Sequence, residues 1–208
     1  MTRVGGGSDD DHHLKEGVRI VAVIDPSRTW APLEKRLAES TNERHRAALQ
    51  VVIEHMKGEA SPDLDQVMGT LSAEPDYHFW MGGQDVGPKT TEGVHTYYTN
   101  FMATRTNVLE FAIDRLVVDD DCVVTEGDMK QLYPGALATA ILGVEVEDPD
   151  ADYLVVYRQV LLWPLDASGK IVGEDSYFAG VRSVTPVARE DLPQQYVDLV
   201  HAPAANAH

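Results

Sequence analysis

A long hairpin between residues 152 and 181 limits what this chain can fold into more than any other segment. Residues 152–164 are mostly β-branched, aromatic or aliphatic, a polar turn follows at 166–169, and a second extended run continues to Val181. Alternate residues of the first strand are largely apolar on both of its faces. Exposing either apolar face to water would be unfavourable, so helices or a second subunit must cover this sheet.

The composition narrows the class of protein and of partner. With 208 residues the chain is predicted to form one domain with tails. Its 34 acidic and 17 basic side chains give a formal charge of −17, which repels phosphate backbones and anionic lipid headgroups. We therefore expect no nucleic-acid partner and no membrane partner. A single cysteine, Cys122, and the absence of an apolar signal segment lead us to expect a cytoplasmic protein.

Local patterns predict the order of the helices and strands. Residues 1–16 lack core-forming side chains and are predicted to be disordered, and 18–23 reads as a short edge or intersubunit strand. A helix is predicted over 41–56, capped by Thr41 and ended by Gly58, followed by a short helix that Ser61 caps. The remaining predicted elements are a strand at 76–81, a helix at 91–104, strands at 108–118 and 122–132, and a weak helix at 191–201.

Two of the strands carry ionisable side chains whose direction matters. In the strand at 76–81, His78 and Trp80 share one face. In the strand at 122–132, Glu126 and Asp128 share a face and Gly127 lies between them. A β-bulge at Gly127 would turn these carboxylates towards the interior, whereas a regular strand would leave them in solvent or at a dimer face.

The predicted order, helices first and then four long antiparallel strands, resembles the nuclear transport factor 2-like superfamily and its SnoaL-like group. The segments that carry the resemblance are residues 55–71, 87–101 and 169–180, and the match spans roughly 41–183. The resemblance implies an α+β fold in which a cone-shaped, strongly curved antiparallel sheet wraps around three N-terminal helices. It divides the chain into a partly disordered extension at 1–40, the cone domain at 41–183 and a tail at 184–208. It also implies a hydrophobic pocket and a homodimer formed through the sheet.

The catalytic groups of two members of this superfamily do not carry over. The positions of the oxyanion-binding and basic residues of ketosteroid isomerases correspond here to Val51, Trp80 and Leu161. The positions used by limonene epoxide hydrolase correspond to Gly127, Met129 and Ser176. Because none of these residues can do the corresponding chemistry, we expect neither of those two mechanisms.

The resemblance does predict which side chains face the pocket. The ionisable groups expected there are His55, His78 and Glu174, with Asp128 added if the strand bulges at Gly127. The residues expected to contact a substrate are Trp80, Tyr97, Tyr157, Gln159, Leu161, Trp163, Ser176 and Phe178.

These side chains suggest acid–base chemistry. A carboxyl group in an apolar cavity has a raised pKa, which suits proton transfer near neutral pH. We expect Glu174 and His78 to move protons, His55 to orient one of them, and Tyr157 and Gln159 to polarise an oxygen atom of the substrate. Each residue also has a structural interpretation: Glu174 as an exposed glutamate near a turn, His78 as a core imidazole bonded to the backbone, and His55 as a helix terminator.

The function expected from the sequence is a cofactor-independent enzyme acting on a hydrophobic small molecule. Dehydration, isomerisation, cyclisation and epoxide opening all fit such a site. No cofactor is expected, and no metal, because short ligand spacings such as HxxxH are lacking. The alternative is a noncatalytic module for ligand binding or dimerisation, in which the polar residues of the cavity bond to one another.

Overall fold

The structure is a computed structural model that describes residues 23–201. Within this range the helices are α1 (Ser27–Glu39), α2 (Glu43–Ala60), α3 (Leu64–Thr70), α4 (Thr90–Ala103), α5 (Gly135–Leu142) and α6 (Gln194–Val200). The strands are β1 (Phe79–Met81), β2 (Gln84–Asp85), β3 (Leu109–Val118), β4 (Cys122–Pro134), β5 (Asp152–Pro164) and β6 (Asp175–Val187). The predictions made for 1–16 and, apart from Val23, for 18–23 lie outside the described residues. None of the helices in the described range has the length and apolar character needed to cross a membrane.

Helix α2 departs from its prediction at both ends. Asn42 caps it instead of Thr41, and its side-chain oxygen accepts hydrogen bonds from the backbone N–H groups of Arg44 (2.9 Å) and His45 (3.3 Å). Gly58 does not end the helix. A Cβ at this position would lie 2.9 Å from the Cγ2 of Val67, so the glycine allows α3 to pack closely against α2. The next helix, α3, is capped by Asp63 and not by Ser61.

The six strands form one curved, unclosed sheet in the order β2-β1-β6-β5-β4-β3. The hairpin predicted at 152–181 is confirmed as β5 and β6, which pair antiparallel at the centre of the sheet. The expectation of a purely antiparallel sheet is wrong in one place, because β1 runs parallel to β6. The α+β fold predicted from the sequence is confirmed.

The main core lies between the inner face of the sheet and the helices. Residues of β5 alternate as predicted, so Tyr153, Val155 and Trp163 are buried on the inner face. They pack in one cluster with buried residues of α2 and α4, among them Leu49 and Tyr98. Burying each of these large side chains contributes about 1.5–3 kcal/mol, so the helices and the sheet stabilise one another.

Three further helices complete the fold: α1 and α5 were not predicted from the sequence, whereas α6 corresponds to the weak helix predicted at 191–201. Helix α1 packs against α2 and β3, and its Leu33 is fully buried. Helix α5 follows directly from the end of β4. Helix α6, near the predicted position, packs over the outer face of the sheet, where Tyr196 and Leu132 lie in a second buried cluster. The Tyr196 hydroxyl donates to Asp152 at the start of β5 (2.8 Å), which ties the end of the chain to the sheet.

Candidate functional site

A cavity of about 360 Å³ lies inside the cone. Eight aromatic side chains line it: Phe79, Tyr97, Phe101, Phe111, Tyr133, Tyr157, Trp163 and Phe178. The exposed lining residues Met81 and Ile141 mark its mouth. Its size and apolar walls suit a small hydrophobic molecule.

Most of the side chains predicted to face the pocket do line this cavity. They are Tyr97, Tyr157, Gln159, Leu161, Trp163, Glu174, Ser176 and Phe178. Apart from Tyr97, which is in α4, and Glu174, which precedes β6, their placement follows from the alternation of β5 and β6, because every second residue of a strand points to the same side. The alternative interpretation of Glu174, as an exposed glutamate near a turn, is wrong, since the side chain is buried.

The prediction that His78 and Trp80 face the cavity is wrong. Strand β1 pairs with β6 in a register that sets Phe79 opposite Ser176 and Trp80 opposite Tyr177. Phe79 therefore shares the inner face with Ser176, and its two neighbours in the chain point outwards. Trp80 is 39% exposed and stacks against Tyr177. The prediction assigned the even-numbered residues of this strand to the inner face, whereas the odd-numbered residue Phe79 lies there.

His78 instead belongs to a group of charged side chains outside the cone. Its Nδ1 lies 2.7 Å from a carboxylate oxygen of Asp85, and the ammonium of Lys89 lies 2.9 Å from the same carboxylate. Hydrogen bonds from Lys89 and His78 hold the pKa of Asp85 well below its usual value. This group ties β1 to β2 and to the start of α4.

Asp128 also lies on the outer face, so the prediction that it is catalytic in this cavity is wrong. The bulge is in β3, between Ile113 and Arg115, and β4 continues with regular alternation through Gly127. A Cβ on Gly127 would lie 2.3 Å from the backbone oxygen of Ala112, so the glycine is needed for the close approach of β3. The Asp128 carboxylate accepts hydrogen bonds from Arg182 at 2.6 and 2.8 Å.

His55 is fully buried behind the cavity wall and has a partner at each ring nitrogen. The Thr70 hydroxyl donates to the carbonyl of Val67 (2.6 Å), so it must accept from His55 Nδ1–H, which lies 2.7 Å away. That arrangement leaves His55 Nε2 as an acceptor for the hydroxyl of Tyr98, at 2.8 Å. One chain of hydrogen bonds thus fixes the tautomer of His55 and offers the Tyr98 hydroxyl an acceptor at Nε2.

Tyr98 connects this chain to Glu174. Its hydroxyl lies 3.2 Å from a carboxyl oxygen of Glu174 and 3.0 Å from the hydroxyl of Tyr77. Since Tyr98 has one hydroxyl proton, it can donate either to His55 or to Glu174. Tyr98 can therefore respond to the charge of Glu174 by turning its hydroxyl.

A second carboxyl group, Glu59, faces Glu174 across the end of the cavity. One carboxyl oxygen of each and a ring nitrogen of His55 lie within 4.8 Å of one another, a set of atoms that could also hold a metal ion. Burial, and then the neighbouring charge of Glu59, raise the pKa of Glu174 well above its usual value. Glu174 can consequently carry a proton under conditions in which an exposed glutamate has lost it.

Further along the cavity a separate polar cluster is centred on Gln131. Its side-chain oxygen accepts hydrogen bonds from Tyr133 (2.5 Å) and Tyr157 (2.8 Å), and its amide N–H donates to the backbone of Thr106. Burial raises the pKa of both tyrosines. The hydroxyl groups of both tyrosines thus have their hydrogen-bond partner within the cluster, and Tyr157 forms part of the cavity wall.

Gln159 differs from this cluster because one of its polar atoms has no partner. Its amide nitrogen donates to the hydroxyl of Ser176. Its oxygen is buried and accepts no hydrogen bond from the described residues. An unpaired polar atom in a cavity wall costs about 1–3 kcal/mol, so a ligand that supplies a donor would recover that loss.

No known family profile and no curated protein sequence matches this chain. Solved structures do match it. A candidate SnoaL-like polyketide cyclase from Shewanella putrefaciens CN-32 superposes with a TM-score of 0.53 at 11% sequence identity, covering 71% of this chain and 87% of its own. One from Shewanella denitrificans OS-217 gives 0.51 at 11% identity, covering 63% and 89%. The chain has the SnoaL-like, nuclear transport factor 2-like fold. A third structure of the same description, from Jannaschia sp. CCS1, gives 0.50 at 17% identity, covering 67% and 90%.

Two polar residues of the site, Glu59 and Gln131, were not predicted from the sequence. Glu59 lies one helical turn after His55, a spacing that places both side chains on one face of α2. It was missed because the helix was expected to end near Met56. Gln131 follows Met129 by two positions in β4, so strand alternation could have placed it in the cavity.

Proposed function

We propose that this chain is a cofactor-independent acid–base enzyme that acts on a hydrophobic small molecule in the cone cavity. The single observation that supports it best is the buried carboxyl of Glu174, which lines an aromatic cavity and has a raised pKa. A carboxyl group of this kind can give or take a proton near neutral pH, where acid–base catalysis is most effective.

The neighbours of Glu174 have distinct parts in this proposal. When Glu174 gives its proton to a substrate, the hydroxyl of Tyr98, 3.2 Å away, can turn to donate to the new carboxylate. His55 acts as a positioning residue because it holds Tyr98 from behind while Thr70 fixes its ring. Glu59 makes the charged form of Glu174 less favourable, so Glu174 keeps a proton that it can donate and, once ionised, is a stronger base. Dehydration, isomerisation, cyclisation and epoxide opening all use such a proton transfer.

A proton-exchange assay tests the proposal without knowledge of the natural substrate. In D₂O, the α-protons of the bicyclic ketone 2-tetralone exchange with solvent whenever a base removes one, and ¹H NMR follows the loss of their signal. We expect the protein to accelerate this exchange, and Glu174→Gln to remove an acceleration of about 10²-fold or more. Glu74→Gln, at an exposed position outside the cavity, is the matched control and should behave as wild type. Equal rates for wild type and Glu174→Gln would refute the assignment of Glu174 as the proton-transfer group.

The second candidate function is a noncatalytic binding module, and one observation favours it. Gln131 and the two tyrosines bonded to it are satisfied among themselves, as expected of a structural polar cluster. Binding of 2-tetralone, seen as line broadening in the same NMR samples, with no acceleration of exchange would support this second candidate.

We also propose a homodimer formed through the outer face of the sheet. Arg158 lies at the centre of this face, paired with Asp114 (2.6 and 2.9 Å) and with Glu126 (2.7 Å). Val160 and Leu162 are half-buried beside it, so the face combines apolar area with paired charges. Light scattering after gel filtration should give twice the chain mass, and Val160→Glu should give the monomer. Val86→Glu, an exposed position outside this face, is the control. A monomeric wild type would contradict the proposal.

A further inference from the structure

The polar groups at the end of the cavity are one-sided in chemical character. Glu59 and Glu174 offer carboxyl oxygens, and Gln159, which is bonded to Ser176 two residues beyond Glu174, offers its unpaired oxygen; all of these oxygens accept hydrogen bonds. No lysine, arginine or histidine side chain lines the cavity within the described residues. A ligand that satisfies this end must therefore bring N–H donors and can bring positive charge.

The walls around these acceptors suit a cation as well. Phe79 lies opposite Ser176 in the paired strands, and Phe178 is the next inward residue of β6. Tyr97 lines the same cavity, and its pKa is raised by burial and then by the charge of Glu174. Aromatic faces attract ammonium groups through their quadrupole, and the attraction is strongest where water is excluded.

The surface beside the mouth of the cavity is also negatively charged. Ile141 and Leu142 at the mouth are followed by a loop, residues 143–151, that carries four exposed acidic side chains and no basic one. Together with the formal charge of −17, this loop attracts cations and repels anions.

We propose that the cavity selects a small hydrophobic amine, whose protonated nitrogen sits between Glu59, Glu174 and the unpaired oxygen of Gln159. This inference rests on the proposed function in using the same cavity, and it names the class of substrate. The ammonium donates to the three acceptors, and the apolar ring system of the molecule fills the aromatic part of the cavity. One carboxyl group then neutralises the ammonium, and the other remains free to carry a proton.

Three ligands with one carbon skeleton test the charge preference. They are 2-aminotetralin, which is cationic at pH 7, the neutral 2-tetralol, and the anionic tetralin-2-carboxylate. Isothermal titration calorimetry on the full chain, in buffer with EDTA, gives the three dissociation constants. We expect the amine to bind about tenfold more tightly than the alcohol, or better, and the carboxylate to show no measurable binding.

Variants identify the groups responsible. Glu59→Gln and Glu174→Gln should each reduce the ratio between amine and alcohol, and Glu74→Gln should leave it unchanged. Retained binding of 2-tetralol shows that the cavity of each variant is intact. The proposal is overturned if the alcohol binds as tightly as the amine, if the preference survives in both cavity variants, or if amine binding requires an added divalent metal.

Failure of this inference is distinguishable from failure of the proposed function. A protein that prefers the amine but does not accelerate exchange in 2-tetralone has the cation site without the proton-transfer activity. A protein that accelerates exchange but binds amine and alcohol equally has the activity without the cation preference.

Discussion

Replacing Glu174 with glutamine should make the protein more stable at neutral pH, and the gain should depend on pH. An unfolded glutamate titrates near pH 4.3, whereas burial and Glu59 raise the pKa of Glu174 in the folded protein. Below the pKa of the unfolded state, the carboxyl is protonated in both the folded and the unfolded protein, so its titration does not lower the free energy of unfolding. As the pH rises towards the folded pKa, the unfolded state loses its proton more easily, so the wild type loses stability.

The size of this effect follows from the shift. Each unit by which the folded pKa exceeds the unfolded one lowers the free energy of unfolding by about 1.4 kcal/mol at high pH. We therefore expect Glu174→Gln to gain at least about 1.4 kcal/mol relative to wild type between pH 4 and pH 8, or about 3–6 °C in Tm. Because glutamine is nearly isosteric with glutamate, the packing around it changes little.

Urea unfolding followed by circular dichroism measures this difference at a fixed protein concentration. The curves are recorded from pH 4 to pH 8 for wild type, Glu174→Gln and the exposed control Glu74→Gln. The control should stay close to wild type at every pH. A difference between wild type and Glu174→Gln that is the same at all pH values would show that Glu174 titrates as it does in water, and would refute the reasoning about its burial.

Two further predictions concern the structure around the site. His55→Leu should lower the free energy of unfolding by about 2–4 kcal/mol, because the buried hydroxyls of Thr70 and Tyr98 each lose a hydrogen-bond partner; urea unfolding measures this cost, and a cost below about 1 kcal/mol would contradict the bonding described. Gly127→Ala should lower the free energy of unfolding by about 3 kcal/mol, because the new Cβ would lie 2.3 Å from the backbone oxygen of Ala112. Gly69→Ala is the control: this position is helical with open space around it, so thermal unfolding should show no change or a gain of about 0.5 kcal/mol. Equal effects of the two glycine substitutions would contradict the close approach of β3.

The central hairpin could be predicted because a long alternating strand leaves little choice. Once the direction of Leu161 is known, the alternation of β5 gives that of Tyr157 and Gln159, since the side chains of a strand alternate along its length. The direction of β1 could not be read in the same way. It has three residues, and its orientation comes from its parallel pairing with β6, a contact across about one hundred positions of the chain.

Two helices were missed for local reasons. Proline residues at 26 and 32 argue locally against a helix over the segment of α1: Pro26 precedes the helix, and Pro32 lies inside it, where it removes one backbone hydrogen bond. Helix α5 begins immediately after Pro134 ends β4, so no polar loop separates the two elements. In the site, the early end assigned to α2 hid Glu59, the carboxyl group that most affects Glu174.

The two borders of the sheet are both closed to an additional strand. At one border β2 is two residues long, too short to template a neighbour, and Asp85 adds a carboxylate there. At the other, the bulge in β3 interrupts the regular spacing, and the N–H of Phe111 already donates to the hydroxyl of Thr29 in α1 (3.0 Å). Exposed edges are where fibrils grow and where domains exchange strands. A protein shaped in this way should stay dispersed at high concentration and resist seeding by its own aggregates.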